Sequence, residues 1–523
     1  MKREDIVQKL IEYPDSWDVI IIGGGATGLG AAVDSASRGF KTLLLEQKDF
    51  AKATSSRSTK LIHGGLRYLQ QGNISLVIEA LKERGLLCQN APHLVHHQPF
   101  LVPSYKWWQG PFYGAGIKIY DMLAGKLGLE PSRFLSKKET LKAIPTIDPN
   151  ELRGGVVYYD GQFDDSRLAI TLLRTFQELG GVALNYARVT KLIKKKGLIA
   201  GVKAKDEESG KLFSLHSKVV INATGIFSDT IRKLDDPKSS PIIAPSQGIH
   251  LVLPRSFLKS DTAILVPQTE DGRVLFLVPW HGRVLLGTTD TAVSTPQMEP
   301  KAQKSEIRFL LKYAAKYLQK APKEEDVLSV FSGHRPLIKA KESESSASIS
   351  RDHCILVANS GLISIAGGKW TTYRKMAEDV INKAITVGSL PDNPCITKTL
   401  HLHGYVENAD PHDPMSVYGS ERKLISQLEK EDPALKEHIH PRLPYKKSEV
   451  VWAVKKEMAR KVEDVLCRRT RAILLDAAAS VESAQSVAHL MAKELGFSKE
   501  WVKEEVKDFT LLAQRYMILP STK

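Results

Sequence analysis

The spacing of apolar positions changes several times along the chain, and the changes mark its elements. The first strong signal is Asp18-Val19-Ile20-Ile21-Ile22, a continuous β-branched run of the kind that forms a strand buried on both faces. Gly23-Gly24-Gly25-Ala26-Thr27-Gly28 follows, and then small residues such as Gly30-Ala31-Ala32 as far as Gly39. That order predicts a tight turn into a closely packed helix. A second apolar run from Lys41 to Glu46 completes a β-α-β unit. Further on, Leu212 to Ile221 reads as a strand leading into Asn222-Ala223-Thr224-Gly225. Two pairs of apolar runs, 274–278 with 284–287 and 355–357 with 362–365, read as hairpins, the second reaching Gly367-Gly368-Lys369. From Ser448 to Tyr516 the pattern becomes helical and rich in Lys and Glu.

These segments predict an α/β chain with interleaved parts. Residues 17–99, 153–239 and 329–390 form one discontinuous, Rossmann-like nucleotide-binding domain. Residues 100–152 and 240–328 form a strand-rich domain with a mixed sheet, and residues 391–523 an α-helical C-terminal domain. A length of 523 residues accommodates such a body. The stretch from Glu342 to Ser350 reads as a surface loop.

Composition removes several function classes. The four cysteines, Cys88, Cys354, Cys395 and Cys467, form no CxxC pair, which leaves neither a disulfide scaffold nor zinc-ligand spacing. No haem signature or EF-hand loop occurs, so no metal is expected. The net charge of +15 favours polyanionic partners. The lysines are dispersed in short runs such as 191–196 and 455–461, with no RRM, KH or zinc-finger pattern, so nucleic acid is not an expected partner. The N-terminus lacks an apolar h-region and is neither Arg/Ser-rich nor acid-poor. The most apolar stretch, Val19 to Val33, is too short and too glycine-rich to span a bilayer.

The glycine turn carries the first chemistry. Gly23 permits the tight turn after the strand, Gly25 lets a pyrophosphate approach the backbone, and Gly28 lets helix and strand pack closely. Ala26 and Thr27 open the helix, whose free N–H groups and dipole favour phosphate. Glu46, followed by Gln47, ends the second strand where a carboxylate can hold a ribose diol. An acid there argues against a 2′-phosphate and hence against NADP. NAD and FAD remain open at this point.

The loop after Glu46 turns the choice towards FAD. Ala53-Thr54-Ser55-Ser56-Arg57-Ser58-Thr59-Lys60-Leu61-Ile62-His63-Gly64-Gly65-Leu66-Arg67-Tyr68 is polar, rich in hydroxyls and long enough to wrap an extended cofactor. With Asn222-Ala223-Thr224-Gly225 and Gly367-Gly368-Lys369-Trp370-Thr371-Thr372-Tyr373-Arg374, it resembles the FAD-dependent glycerol-3-phosphate dehydrogenase family, within the D-amino-acid-oxidase-like flavoproteins. The resemblance extends through Tyr159-Asp160-Gly161-Gln162, Ile249-His250-Leu251-Val252, Gly287-Thr288-Thr289-Asp290 and Phe331-Ser332-Gly333-His334-Arg335-Pro336. In the tail it includes Cys467-Arg468-Arg469-Thr470-Arg471. His334 departs from the family, where a small apolar residue is common.

The resemblance implies FAD held by the fingerprint residues and by Thr54, Ser55, Ser56, Ser58, Lys60, Leu61, His63, Gly64 and Gly65. Ala223, Thr224, Gly225, Gly367, Gly368, Lys369 and Thr371 complete that set. It implies a substrate pocket containing Arg67, Tyr68, Arg335, Arg351 and Lys369. Arginine suits a phosphomonoester because its fork binds oxygen pairs. Oxidising a secondary alcohol also needs a proton acceptor, and His250 and His63 are the candidates, His250 preferred. Arg335 and Lys369 would bind phosphate or stabilise a developing alkoxide. The implied reaction takes sn-glycerol 3-phosphate to dihydroxyacetone phosphate and passes electrons to a membrane quinone. The alternatives are an oxidase that reduces O2 to peroxide and a non-catalytic flavin-containing membrane-binding protein. Phe100 to Leu123 gathers Tyr105, Trp107, Trp108, Phe112 and Tyr113 around Lys106, with Lys118 and Lys126 nearby. Such a patch suits peripheral contact with an anionic membrane, on the cytoplasmic face of a bacterial-type cell membrane; a homodimer is left open.

Overall fold

The computed structural model describes residues 3–12, 16–70, 72–267, 273–339, 353–411 and 413–518. Two sheets form the body. In the first, Ile363–Gly367, Leu212–Asn222, Trp17–Ile22, Thr42–Leu45 and Val182–Leu184 run parallel in that order. His353–Val357 adds antiparallel at the edge, as the second expected hairpin. Val19, Ile20 and Ile21 are fully buried, because helices cover the sheet and a continuous apolar run satisfies both faces. The helix Ala26–Ser37 packs against Tyr373–Gly388 at Gly30, where a Cβ would meet the Tyr373 ring at 2.8 Å.

The second sheet is mixed and mostly antiparallel, in the order Thr291–Ala292, Ile243–Pro254, Arg283–Gly287, Leu275–Trp280, Ala263–Val266, Val95–Ser104, Gly154–Phe163 and Leu61–Ile62. Leu275–Trp280 and Arg283–Gly287 form the first expected hairpin. Three strands lie wholly elsewhere than the sequence segmentation puts them, the first being Leu61–Ile62, which pairs with Gly154–Phe163 at the end of this sheet. Gly154–Phe163 and Ser329–Ile338, grouped above with the nucleotide-binding segments, pair with Val95–Ser104 and Ile243–Pro254 in this second sheet. Tyr158 and Phe331 accordingly share one apolar cluster with Val252. An apolar strand carries no local mark of the sheet it joins, since its hydrogen-bond partner is remote in sequence.

From Pro414 onward the chain is mostly helical, with Arg422–Glu431, Lys447–Lys456, Ala477–Leu495 and Lys499–Ala513 as the main helices, after an irregular stretch that follows residue 390. These helices keep only a small buried cluster of their own, at Tyr418, Ile425 and Trp452, and share the rest of their core with the body. Ile473, Leu474 and Val487 belong to the same buried cluster as Val252, Trp280 and Phe331 of the second sheet. Each such fully buried side chain contributes about 1.5–3 kcal/mol, so the helical part is docked by the apolar seam it shares with the body. The loop 342–350 and Arg351 lie outside the described residues.

Candidate active site

The parallel strands end at a cavity of about 560 Å³, at the carboxyl edge where open α/β sheets bind ligands. Gly23, Gly25, Ala26 and Thr27 form one wall, and Glu46 and Gln47 lie beside them. Gly23 has φ +109°, and a Cβ there would meet the Ala223 carbonyl oxygen at 2.7 Å. Gly28 does not line the cavity; a Cβ there would drive into the Gly23 carbonyl, so its work is the close packing expected of it. The helix Ala26–Ser37 has no side-chain N-cap, although Ala26 N donates to Ser55 Oγ at 2.9 Å. Glu46 accepts from Gly24 N at 2.7 Å and from Lys48 N at 2.8 Å. Burial raises its pKa against those two bonds.

Thr54, Ser55, Ala223, Thr224 and Gly225 bound the same cavity, as do Gly367, Gly368 and Lys369. The turn at 367–370 is tied to the hydroxyl-rich loop by Trp370 Nε1, which donates to the Ser55 carbonyl at 2.8 Å. A glycine cradle that admits no Cβ, an open helix N-terminus and a carboxylate at the second strand fit the pyrophosphate and ribose of a dinucleotide.

A second cavity of about 210 Å³ shares the walls Thr54, Pro336, Gly367, Gly368, Lys369 and Trp370 with the first. Into it open His63, Tyr68, His250 and Arg335, with Ser58, Leu61 and Thr371 at its sides. Strand register builds the seat of His250, which lies opposite Gly287 on one neighbour and Phe331 on the other. The imidazole stacks on Phe331 at 4.8 Å between centroids, and a Cβ at Gly287 would collide with the ring. Its Nε2 shares a 2.9 Å hydrogen bond with Thr59 Oγ1, while Nδ1 is buried without a partner among the described residues. Burial holds the pKa of His250 well below the ordinary imidazole value, and the charges of Lys60 and Arg335 lower it further. Arg335 donates to the Thr289 carbonyl at 3.0 Å and lies 3.4 Å from Asp290. Lys369 Nζ sits 3.9 Å over the centroid of the Tyr68 ring.

Several expected cofactor contacts are placed elsewhere. Lys60 is fully buried away from both cavities, with Nζ 2.7 Å from Asp165. Ser56 offers its carbonyl to Lys60 at 3.0 Å and also lines neither cavity. The Gly64 amide donates to the Tyr120 hydroxyl at 2.7 Å, and Gly65 packs against the Tyr68 ring. These four residues belong to the frame of the loop. Arg67 lies on the short helix Leu66–Gln70. His334 is buried in a hydrogen-bonded row, accepting from Gln297 N at 3.2 Å and meeting Gln247 Oε1 at 3.2 Å. The partners missed from sequence were Thr59 and Phe331, although both fall inside motifs quoted above.

The fold and the joined cavities define an FAD-dependent oxidoreductase of the D-amino-acid-oxidase type. Residues 18–374 match the family model described as FAD dependent oxidoreductase, and residues 362–502 match the C-terminal domain of alpha-glycerophosphate oxidase. The mitochondrial glycerol-3-phosphate dehydrogenase of Rattus norvegicus is 39% identical over 535 residues, covering 96% of this chain and 73% of its own. That of Arabidopsis thaliana is also 39% identical, over 94% of this chain and 85% of its own. The crystal structure of glycerol-3-phosphate dehydrogenase from Bacillus halodurans complexed with FAD superposes with a TM-score of 0.81 at 28% identity, covering 100% of this chain and 98% of that one. The chain belongs to the glycerol-3-phosphate dehydrogenase family of FAD-dependent enzymes, and its cofactor is FAD.

Proposed function

We propose that the chain oxidises sn-glycerol 3-phosphate to dihydroxyacetone phosphate and that the electrons pass on to a membrane quinone. The observation that carries this reading is the junction of the two cavities. Cations, aromatic rings and the three histidines His63, His250 and His334 surround a small volume that shares the 367–370 wall with the cofactor cavity. The relatives named above are glycerol-3-phosphate dehydrogenases, and a phosphomonoester dianion is the ligand that Arg335 and Lys369 favour. The resemblance to the family adds Arg67 and Arg351 as further candidates for phosphate.

The reaction removes a hydride from C2 of the substrate and a proton from its hydroxyl oxygen. FAD, when bound, supplies the two-electron acceptor at its isoalloxazine ring. His250 takes the hydroxyl proton. Its depressed pKa keeps the imidazole neutral, which is the state a base requires. Arg335 is one of the charges that depress it, so a dianion at Arg335 offsets that charge and raises the basicity of His250 when substrate arrives. His63 stands at the same cavity as the second candidate base. Phe331 and Gly287 fix the plane of the His250 ring, so that little ordering remains to be done at the moment of reaction.

Membrane contact falls to the helix Gln109–Ala124 and the turn before it. Trp107 is 76% exposed, Phe112 58% and Met122 71%, with Lys106, Lys118 and Lys126 also exposed. Tyr105 and Tyr113 turn partly inward. No helix among the described residues is long and apolar enough to cross a membrane. An aromatic wedge ringed by lysines supports peripheral binding to an anionic leaflet, here the cytoplasmic face of the cell membrane.

Anaerobic titration with sn-glycerol 3-phosphate tests the reaction. Bleaching of the flavin absorbance is expected, followed by reoxidation on adding a quinone. A spectrum unchanged at saturating substrate overturns the proposal. Stoichiometric peroxide in air, without quinone reduction, replaces the dehydrogenase reading with the oxidase.

A further inference from the structure

Residues 49–60 separate the two cavities. Ala51 to Ser55 bound the cofactor cavity, while Arg57, Ser58 and Thr59 face the smaller one. This loop is held largely from a distance. At its start the buried carboxylate of Asp49 receives Arg468 Nε at 2.5 Å and Arg469 Nη2 at 2.8 Å. Burial alone would raise the pKa of Asp49, but the two guanidinium groups outweigh it and hold the value at about 2. In the middle of the loop, Lys52 pairs with Glu463 at 2.6 Å. At its end, Arg471 Nη2 donates to the Ser56 carbonyl at 2.7 Å and to Asp165 at 3.0 Å. The other oxygen of Asp165 accepts from Ser58 N at 2.9 Å and from Lys60 at 2.7 Å.

Arg468, Arg469 and Arg471 lie within one turn of the C-terminal helical part and are almost completely buried. Their own geometry is fixed locally: Arg469 Nη2 donates to the Glu457 carbonyl at 2.7 Å and Arg471 Nη1 to the Cys467 carbonyl at 2.8 Å. One rigid turn therefore grips the loop at both ends. We infer that these arginines are positioning residues for the cofactor loop, and that docking of the C-terminal helices and retention of FAD are coupled.

The physical basis is twofold. A free loop of this length loses about 1–2 kcal/mol of backbone entropy per residue when it is ordered. If the arginines already hold it, cofactor binding does not bear that cost. An Asp49 or Asp165 carboxylate stripped of its arginine would be a buried, poorly compensated charge, so loop and turn undock together. Linkage makes the effect reciprocal: whatever the turn adds to FAD affinity, FAD adds to docking of the turn. The inference holds whichever alcohol is oxidised, because it concerns only the cofactor.

Hydrogen exchange on the full chain, with FAD and after its removal, tests the coupling without any substitution. FAD is expected to slow amide exchange in residues 462–475, far from the phosphate-binding glycines in sequence. Arg471→Met and Asp49→Asn are each expected to weaken FAD binding about tenfold, within the 5–150-fold range of such couplings, read from recovery of flavin fluorescence on dilution. Glu463→Gln, at the partly exposed rim, should show a smaller shift in the same direction. Glu421→Gln breaks a C-terminal ion pair with Arg174 that does not touch the loop and should leave the FAD dissociation constant unchanged. The inference is overturned if exchange in 462–475 is the same with and without FAD. It is equally overturned if folded Arg471→Met or Asp49→Asn protein binds FAD as the parent does, or if Glu421→Gln weakens binding as much as they do.

Discussion

Replacing Lys60 by methionine should move the acid limb of the kcat/KM profile upward, although Lys60 touches neither cavity. Its ammonium lies 4.9 Å from the centroid of Phe331, and the His250 ring stacks on the same phenyl group at 4.8 Å. The ammonium and the imidazole are therefore no more than about 10 Å apart. At an effective dielectric constant of about 20, two charges at that separation repel by about 1.7 kcal/mol, which is roughly one pKa unit. The sign follows from the charges. Lys60 disfavours protonated His250, so removing Lys60 raises the pKa of the imidazole, and the base is lost to protonation at a higher pH. In the parent protein the limb belongs below pH 6.5, because burial and both cations depress His250. In Lys60→Met it should lie about one unit higher, while Lys60→Arg, which keeps the charge, should leave it in place. Asp165 retains Arg471 and Ser58 in the variant, so the loss of about 3 kcal/mol expected for breaking a buried pair is partly offset; flavin content reports whether the protein is intact. The assay is initial-rate kinetics with sn-glycerol 3-phosphate across pH 5 to 9. If the limb moves no further in Lys60→Met than in Lys60→Arg, His250 is not the group that accepts the proton.

Arg335→Met should raise KM about 10- to 150-fold, as expected for loss of a charge-assisted bond worth about 1.5–3 kcal/mol, while the visible flavin spectrum stays that of the parent. A KM unchanged within a factor of two would remove Arg335 from phosphate binding. Gly28→Ala should yield protein without yellow colour, because the added methyl group drives into the Gly23 carbonyl and overpacking at the turn costs about 1–3 kcal/mol; a flavin-replete variant would contradict the packing role. Trp107→Ala combined with Trp108→Ala should release the protein from anionic liposomes in a flotation assay, and added salt should weaken binding of the parent. If neither treatment alters partitioning, the aromatic patch is not the anchor.

Much of the cofactor site was legible because its constraints are local. Gly28 packs on Gly23 five positions earlier, and Glu46 reaches the Gly24 amide across one β-α-β unit. A short apolar run, a glycine turn and an acid are sufficient to specify that geometry. The hydroxyl-rich loop was legible as a wrapper, but the direction of each side chain was not. A lysine among serines reads the same whether it faces a phosphate or a carboxylate. Lys60 faces Asp165, 105 residues away in sequence, so it belongs to the frame and not to the ligand.

The sequence alone determined the nucleotide-binding turn, the parallel run that presents it, the helical tail and the inventory of cations and histidines, since each depends on residues within a few turns of chain. Only the tertiary structure decided which strands share a sheet, that Gly287 and Phe331 together seat His250, and that arginines near residue 470 grip a loop near residue 50. Those outcomes depend on strand register and on pairing between buried charges. Such pairings are set by which remote segments exclude water from one another, and no local pattern encodes them.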